Sequence, residues 1–439
     1  MSTNLWWGLF WIGVYLALVS TPVFLLILGP TPPSLGFWWD LSLALGFAGA
    51  AMMGVQFVLT ARFRRATAPY GIDVIYYFHR YVGVVTGLIV LAHPVILFVN
   101  DPGLLFLLNP LAAPGHMVAG LASVTALALL IATSVWRKTF RLPYEGWRVG
   151  HAVLAVAAIF LALVHMDGVG YYLASPWKRG LWATIGASLI AVIVYVRLIR
   201  PIRLVMRPYR VVRVTEERGD AWTLSLEPEG HAGIRFQAGQ FAWLTMGGSP
   251  LAMREHPFSI ASASTRLGQL QFTIKELGDF TRTIKHTREG ERAYVDGPYG
   301  AFTLERHEAP GYVFIAGGIG IAPIMSMLRT LADRRDPRPL LLIYAYRRWE
   351  RMTFREEIEG LKSQLDLNVV YVLEEPPEGW TGERGRVGAA LFDRHLPASR
   401  KTLEHFICGP VPMIEAAEKA LYGLGVPLSR CHTELFDLV

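Results

Sequence analysis

Four histidines carry the most specific chemistry in this chain. Of its 12 histidines, five lie in the apolar first half, and four of those form two equally spaced pairs, His79 with His93 and His151 with His165. Each pair is 14 residues apart. Fourteen residues make almost four turns of an α-helix and rise about 21 Å, so both imidazoles of a pair share one helix face at two depths. If the two segments cross a membrane in the same direction, His79 meets His151 near one surface and His93 meets His165 near the other. Two facing imidazoles supply both axial ligands of a haem, whose flat apolar ring suits a helical bundle; a tetrahedral zinc site would need further ligands at each level. The competing reading is hydrogen-bond glue between helices, or a proton relay. It requires four matched positions to coincide. His116, alone at the outer start of the fourth apolar segment, reads either as an interfacial residue or as a neighbour of an outer electron acceptor.

The elements that must position these side chains follow from hydropathy. At 439 residues, 52% hydrophobic and with a mean hydropathy of +0.34, the chain is too long for one compact domain and too apolar for an ordinary soluble one. Apolar stretches at 5–28, 39–60, 75–99, 114–136, 148–166 and 178–199 each approach the roughly 20 residues that cross a bilayer as helix. The first is too long, and lacks the basic start and small-residue exit, of a cleaved signal peptide, so it is expected to stay in the mature protein. Residues 1–200 hold 12 Lys/Arg against 5 Asp/Glu, whereas 201–439 hold 30 of each. The formal charge of +7 therefore belongs to the first half.

Arg62, Arg64 and Arg65, then Arg137, Lys138, Arg141 and Arg148, then Arg197, Arg200 and Arg203 gather at one set of span ends. The opposite loops, Pro30 to Asp40, Asn100 to Pro114 and Asp167 to Arg179, offer only Lys178 and Arg179. The positive-inside rule then places both chain termini in the cytoplasm, of a bacterial plasma membrane by expectation, with His79 and His151 on the inner side. Trp6, Trp7, Trp38, Trp39, Trp136, Trp147 and Trp177 lie near the span ends, as an aromatic belt does. Arg80 and Arg148, beside or one turn before the inner histidines, read either as partners of haem propionates or as plain positive-inside anchors. The basic pI of 9.4 does not indicate nucleic acid, because the excess charge flanks apolar spans. The two cysteines, Cys408 and Cys431, are too few and too late in the chain for a disulfide framework.

From about residue 207 the pattern changes to short apolar runs separated by Gly, Pro and charged residues, which predicts a small antiparallel β-barrel. Beyond about 310 it becomes strand, glycine-rich turn and helix in alternation, the doubly wound α/β pattern. The strand Val313 to Ala316 runs into Gly317-Gly318-Ile319-Gly320-Ile321-Ala322-Pro323 and then a helix, so that phosphates can approach a helix N-terminus. Such a glycine turn is also an ordinary strand-to-helix connection.

The segment Arg254-Glu255-His256-Pro257-Phe258-Ser259-Ile260-Ala261-Ser262 resembles the flavin segment of the ferredoxin reductase family. With six spans in front, the chain resembles the NADPH oxidase and ferric reductase superfamily over nearly its whole length. The resemblance implies FAD packed against His256, Pro257, Phe258 and Ser259, with His256-Pro257-Phe258 standing where soluble reductases carry a tyrosine. It implies a G-x-x-T loop, Gly278 and Thr281, receiving the FAD pyrophosphate. Asp296 to Gly300 resembles the family's barrel-closing turn. The turn Gly317, Gly318, Gly320 and Pro323 would take the nicotinamide coenzyme, and Arg347 and Arg348 would read its ribose, favouring NADPH through their guanidinium forks. Glu350 could instead accept a ribose hydroxyl, and a surface charge run accounts for all three. Cys408, Gly409 and Pro410 resemble the second nicotinamide element, with the cysteine near the hydride-transfer site, and Phe436 is in the place of the aromatic that covers the flavin. The expected chain is a six-helix haem domain (1–204), an FAD-binding β-barrel (205–308) and an NADPH-binding α/β domain (309–439). Its cofactors are FAD, NADPH and two b-type haems. The expected function is electron transfer from NADPH to oxygen across the membrane, producing superoxide. A ferric-chelate reductase is the second reading, and quinone or a periplasmic protein a third acceptor. A transporter or haem-sensing module would leave the flavin and nicotinamide motifs without a use.

Overall fold

Runs of about 20 apolar residues with few charges satisfy their backbone polar groups internally, and in lipid only a helix or a closed barrel does so. The computed structural model, which describes residues 2–63, 72–266 and 268–435, has six such helices: α1 (Ser2–Leu26), α2 (Phe37–Thr60), α3 (Ile72–Asn100), α4 (Gly115–Val135), α5 (Tyr144–Val169) and α6 (Pro176–Val194). All six contain stretches long and apolar enough to cross a membrane. The sixth outruns its predicted end at 199. It passes through a π turn at Tyr195–Ile199 into α7 (Arg200–Val205).

Small residues bring these helices together, as expected where lipid removes any hydrophobic drive for helix association. On α2 the run Gly49–Gly54 is buried, and a Cβ added to Gly49 would lie 2.5 Å from Val90 of α3. A Cβ on Gly87 of α3 would lie 2.3 Å from Ile131 of α4. Between α4 and α5 the buried Ser123 hydroxyl donates to the Ala158 carbonyl at 2.7 Å. At the N-terminal end of α6 the wholly buried Lys178 ammonium donates to the carbonyls of Leu26 (2.5 Å) and Pro30 (2.9 Å), and Arg179 pairs at the surface with Asp167 at 3.0 Å.

Contacts divide the chain into this helical unit, Leu5–Phe63 with Val74–Arg200, and a second unit containing Pro201 onward. The second begins with six antiparallel strands: β1 (Tyr209–Glu217), β2 (Ala221–Pro228), β3 (Phe241–Met246), β4 (His256–Ser259), β5 (Leu270–Lys275) and β6 (Arg292–Tyr299), in the order β4-β3-β6-β1-β2-β5. Burial alternates along β6, as a strand covered on one face requires. Leu224, Leu226, Leu244, Ile260 and Phe272 fill the interior. The short α8 (Asp279–Thr283) follows β5.

A parallel sheet comes next: β7 (Tyr312–Gly317), followed by α9 (Ile321–Asp333), then β8 (Leu340–Tyr346), β9 (Leu367–Leu373), β10 (Glu383–Arg384), β11 (Glu404–Gly409) and β12 (Cys431–Leu435). The spatial order is β10-β9-β8-β7-β11-β12. All six residues of β7 and of β11 are buried, as central strands covered on both faces must be. The predicted fold class is therefore the observed one: an apolar six-helix bundle, a curled antiparallel sheet and a doubly wound α/β domain.

Candidate functional site

Within the bundle, α3 and α5 bring the histidines together in the predicted pairs. The ring centroids of His79 and His151 are 6.2 Å apart and those of His93 and His165 are 6.4 Å apart, with interplanar angles of 62° and 60°. Metal–nitrogen bonds of about 2 Å with a ring radius of roughly 1.1 Å would hold two trans imidazoles with centroids about 6.3 Å apart. Both pairs stand at that separation.

Each ring also has a partner on Nδ1. His79 Nδ1 lies 2.6 Å from Gln56 Oε1, His151 Nδ1 lies 3.1 Å from Ser134 Oγ, and His93 Nδ1 lies 2.9 Å from both the Ser42 carbonyl and its hydroxyl. His165 Nδ1 donates to the His116 carbonyl at 2.9 Å. An acceptor on Nδ1 fixes the proton there and leaves the Nε2 lone pair for a metal, which is the support that metal-ligating histidines use. Glycines set the space around the rings. A Cβ on Gly83 or Gly150, near His79 and His151 in the chain, would meet nothing within 4 Å. At the level of His93 and His165, a Cβ on Gly120 would come within 2.7 Å of His165 Nδ1, and one on Gly46 within 3.3 Å of the His93 ring. These residues fit a haem at each level. Gln56, Ser42 and Ser134 have no sequence signal of their own, and His116 enters through its backbone, whatever its side chain does. Arg80 is exposed and Arg148 half-buried.

In the barrel, β3 pairs with β4 so that Phe241 faces Ser259 and Leu244 faces His256, which holds the predicted flavin segment on an edge strand. His256 and Phe258, two residues apart on β4, both turn toward Phe280 of α8: the His256 and Phe280 rings stack at 3.9 Å and 17°, and those of Phe258 and Phe280 lie 6.0 Å apart. Phe280 was not foreseen as part of this wall. The Ser259 hydroxyl is buried and has no hydrogen-bond partner among the described residues, which suits a site completed by a polar ligand such as FAD. Pro257 occupies the same strand. In the G-x-x-T loop, Thr281 Oγ1 accepts from the Leu277 and Gly278 N–H groups, both at 2.8 Å, and donates to the Gly278 carbonyl at 3.0 Å. These bonds close the loop locally, as a threonine three residues beyond a turn can do.

In the α/β domain the chain order reverses between β7 and β11, and open parallel sheets bind ligands outside the carboxyl ends of their strands at such a switch point. Gly317, Gly318 and Gly320 follow β7 there, and Gly409 and Pro410 end β11 beside them. Most of these glycines are required by protein contacts. A Cβ on Gly320 would lie 2.2 Å from the Cys408 carbonyl oxygen, one on Gly317 2.4 Å from Met413 Sδ, and one on Gly409 2.6 Å from Met413 Cε. Gly318 alone opens outward, at φ +55° with nothing within 4 Å. Pro323 sits in the first turn of α9, where no N–H is needed. The Cys408 thiol is fully buried and donates to the Glu434 carbonyl at 3.5 Å. Burial pushes it well above the usual thiol range, so it is no thiolate at neutral pH. Phe436 lies outside the described residues.

The helix α9 ties the two cofactor regions together. Ser326 Oγ donates to the Ser262 carbonyl at 2.7 Å, Arg329 donates to the Ala261 carbonyl at 2.7 Å, and the Ser264 N–H donates to Thr330 at 2.9 Å. The predicted flavin segment and the predicted nicotinamide helix thus share one hydrogen-bonded seam. Arg347 and Arg348, just beyond β8, both bind the carboxylate of Glu375.

Three family models match successive parts of the chain. Residues 45–162 match the ferric reductase like transmembrane component family, 206–303 an FAD-binding domain, and 314–419 an oxidoreductase NAD-binding domain. In this order they define the class: a ferric-reductase-like transmembrane component fused to FAD- and NAD-binding reductase domains. Together they support the ferric reductase and NADPH oxidase-like superfamily, with an FAD-binding and a nicotinamide-nucleotide-binding domain. Among curated relatives, the chain is 33% identical to NADH-cytochrome b5 reductase 1 of Debaryomyces hansenii over 183 residues, 40% of this chain and 64% of that one. It is 31% identical to the stachydrine N-demethylase reductase subunit Stc4 of Rhizobium meliloti over 237 residues, 52% of this chain and 66% of that one. The chain spans less than two thirds of the length of these relatives. Among solved structures, the flavohem-like FAD/NAD binding domain of nitric oxide dioxygenase from Vibrio cholerae is 22% identical, with a TM-score of 0.46 over 52% of this chain and 97% of that one.

Proposed function

We propose that the chain is a transmembrane NADPH oxidase that passes electrons from cytoplasmic NADPH, by way of FAD and two bis-histidine b-type haems, to molecular oxygen on the outer face. The observation that carries this reading is the pair of histidine levels, each with centroids 6.2–6.4 Å apart and every Nδ1 partnered. When bound, FAD converts a two-electron donor into single electrons and the haems carry them one at a time. The overall balance is NADPH + 2 O2 → NADP+ + 2 superoxide + H+.

His79 with His151, and His93 with His165, would each hold one haem, which would supply single-electron transfer. The acceptor in this reading takes one electron at a time. Oxygen does this in forming superoxide. His256, Phe258, Phe280 and Ser259 hold the flavin region, and the turn at Gly317–Gly320 with Gly409 and Pro410 holds the coenzyme, with Arg347 and Arg348 toward its ribose. The run of arginines at one set of span ends supports cytoplasmic termini and cytoplasmic FAD- and NAD-binding domains. A ferric-chelate reductase with the same electron path is the second reading, favoured by the family that residues 45–162 match.

The experiment that decides between them uses purified, haem-loaded protein with FAD and NADPH. Dye reduction sensitive to superoxide dismutase is the expected result; a dismutase-insensitive rate that appears only with ferric chelates would transfer the assignment to the second reading. Absence of bis-histidine bands in the dithionite-reduced minus oxidised spectrum would remove both.

The Nδ1 partners give a further test. Gln56→Leu takes the acceptor from His79 and leaves its N–H unsatisfied beside a metal ligand. Loss of such an outer partner lowers metal affinity by about 10- to 100-fold. Haem per protein in the purified variant is expected to fall toward half, with the level held by His93 and His165 retained; full occupancy of both levels would show that Gln56 does not support the inner ligand.

A further inference from the structure

We infer that Glu375 determines which nicotinamide coenzyme this chain accepts, by standing as an internal anion in the place where the 2′-phosphate of NADPH would bind. The inference rests on the proposed use of a nicotinamide nucleotide and deepens it.

The placement comes from the sheet. Strands β8 and β9 are parallel neighbours in register, with Tyr346 opposite Leu373 at their carboxyl ends. Arg347 and Arg348 are the first two residues past one strand and Glu375 the second past the other, on the edge of the sheet where nucleotides bind. A backbone bond from the Glu375 N–H to the Arg347 carbonyl, 2.8 Å, holds the two loop starts together.

The side chains then arrange themselves as an occupied anion site. Arg347 reaches Glu375 Oε1 with Nε at 2.7 Å and Nη2 at 2.6 Å, and Arg348 reaches Oε2 with Nε at 2.6 Å. One carboxylate thus takes both guanidinia, one on each oxygen. The two arginines hold the Glu375 carboxyl below the usual carboxylate range, so it remains an anion across the physiological range. The adjacent Glu374 is engaged elsewhere, with Arg386 at 2.9 Å.

Two opposed consequences follow for a coenzyme. All three side chains are substantially exposed, 70%, 55% and 40%, and exposed ion pairs contribute little net stability, so the carboxylate can be exchanged. A 2′-phosphate is a stronger acceptor for paired guanidinia, yet it must displace a tethered anion and then lie beside it. A 2′-hydroxyl has no such conflict: it donates to the carboxylate as it stands. Glu375 therefore lowers the preference for NADPH that Arg347 and Arg348 alone would confer, and admits NADH. Neutralising it removes the competing anion and leaves both guanidinia for phosphate.

The test uses the full-length, FAD-loaded protein and Glu375→Gln, which keeps shape and removes charge. Titration calorimetry with 2′-phospho-AMP and with AMP reads the site without turnover, and anaerobic stopped-flow bleaching of FAD by NADPH and by NADH reads it with hydride transfer. The wild-type protein is expected to reduce with both coenzymes. In Glu375→Gln the affinity for 2′-phospho-AMP is expected to rise about tenfold or more relative to AMP, and the NADPH-to-NADH ratio of kcat/KM to rise in parallel, as removing one like charge at close range requires. Unchanged ratios, or a shift toward NADH, would overturn the assignment of Glu375. Equal affinities for both fragments before and after Arg347→Ala and Arg348→Ala would overturn it too, by removing the subsite. FAD that neither coenzyme reduces would instead defeat the nicotinamide-dependent reading itself.

Discussion

His165→Ala is expected to yield protein with one reducible haem in place of two, and with electron delivery to the outer acceptor lowered by at least about 100-fold, since even an outer-partner loss costs roughly 10- to 100-fold in metal affinity. The geometry motivates the size of the effect. His165 faces His93 across 6.4 Å, and no other imidazole ring is paired with His93 among the described residues. The other pair, His79 with His151, stands on its own partners, Gln56 and Ser134, so its spectrum should persist. FAD reduction by NADPH should persist as well. A haem-to-protein ratio near two, with full turnover, would dismiss the outer level. His116→Ala is the informative control. His165 Nδ1 is held by the backbone carbonyl of residue 116, not by its side chain, so haem content should change little. Gly120→Val should mimic the loss of His165 instead, because the new Cβ would press on the ring from 2.7 Å.

Gly320→Ala is expected to abolish most hydride transfer while leaving both haem levels reducible by dithionite. A Cβ at this position would lie 2.2 Å from the Cys408 carbonyl oxygen and 2.8 Å from the Gly409 backbone nitrogen. These are backbone atoms of a central strand and cannot turn aside as a side chain would. Overpacking of this kind typically costs about 1–3 kcal/mol, here concentrated on the turn between β7 and α9 and on the Gly409–Pro410 element beside it. Stopped-flow FAD reduction should slow at least tenfold, given that each 1.4 kcal/mol corresponds to a factor of about ten. Gly318→Ala is the comparison. Its Cβ meets nothing, but its φ of +55° is strained for an L-residue, at about 1–2 kcal/mol, so a milder effect with the same haem spectrum is expected. If Gly320→Ala reduces FAD at the wild-type rate, the switch point between β7 and β11 is not where the coenzyme binds.

Much of this architecture was legible in the residues because periodic signals are local. Fourteen-residue spacing on two apolar segments announced which imidazoles share a depth, and the observed pairs are the expected ones. The predicted spans overlap all six helices, with differences at polar or aromatic ends: Tyr144, Glu145 and Trp147 continue α5 outside the purely apolar stretch, and Arg200 to Val205 continue the sixth beyond 199. The same holds for the strand, glycine turn and helix around Gly317–Gly320, where local conformation and composition point one way.

What the sequence by itself determined, then, is the set of elements, the two histidine levels and the order of the domains. Only the tertiary structure decided which atoms support them. Gln56, Ser42 and Ser134 come from α2 and α4, and a single polar residue in an apolar span has no periodicity to reveal its partner. The Thr281 hydroxyl accepts from the Leu277 and Gly278 N–H groups, a local loop closure that the G-x-x-T spacing alone does not show. Gly320 answers to the Cys408 carbonyl and Gly317 to Met413, 88 and 96 residues further along the chain, whereas Gly409 meets Met413 only four residues on. Arg347 and Arg348 were legible as cations, whereas the Glu375 that binds both lies 27 to 28 residues on, past the next strand. The physical reason is the same in each case: secondary structure is set by neighbours in sequence, but hydrogen bonds and ion pairs are made with neighbours in space, and only strand order and helix packing bring those within 3 Å.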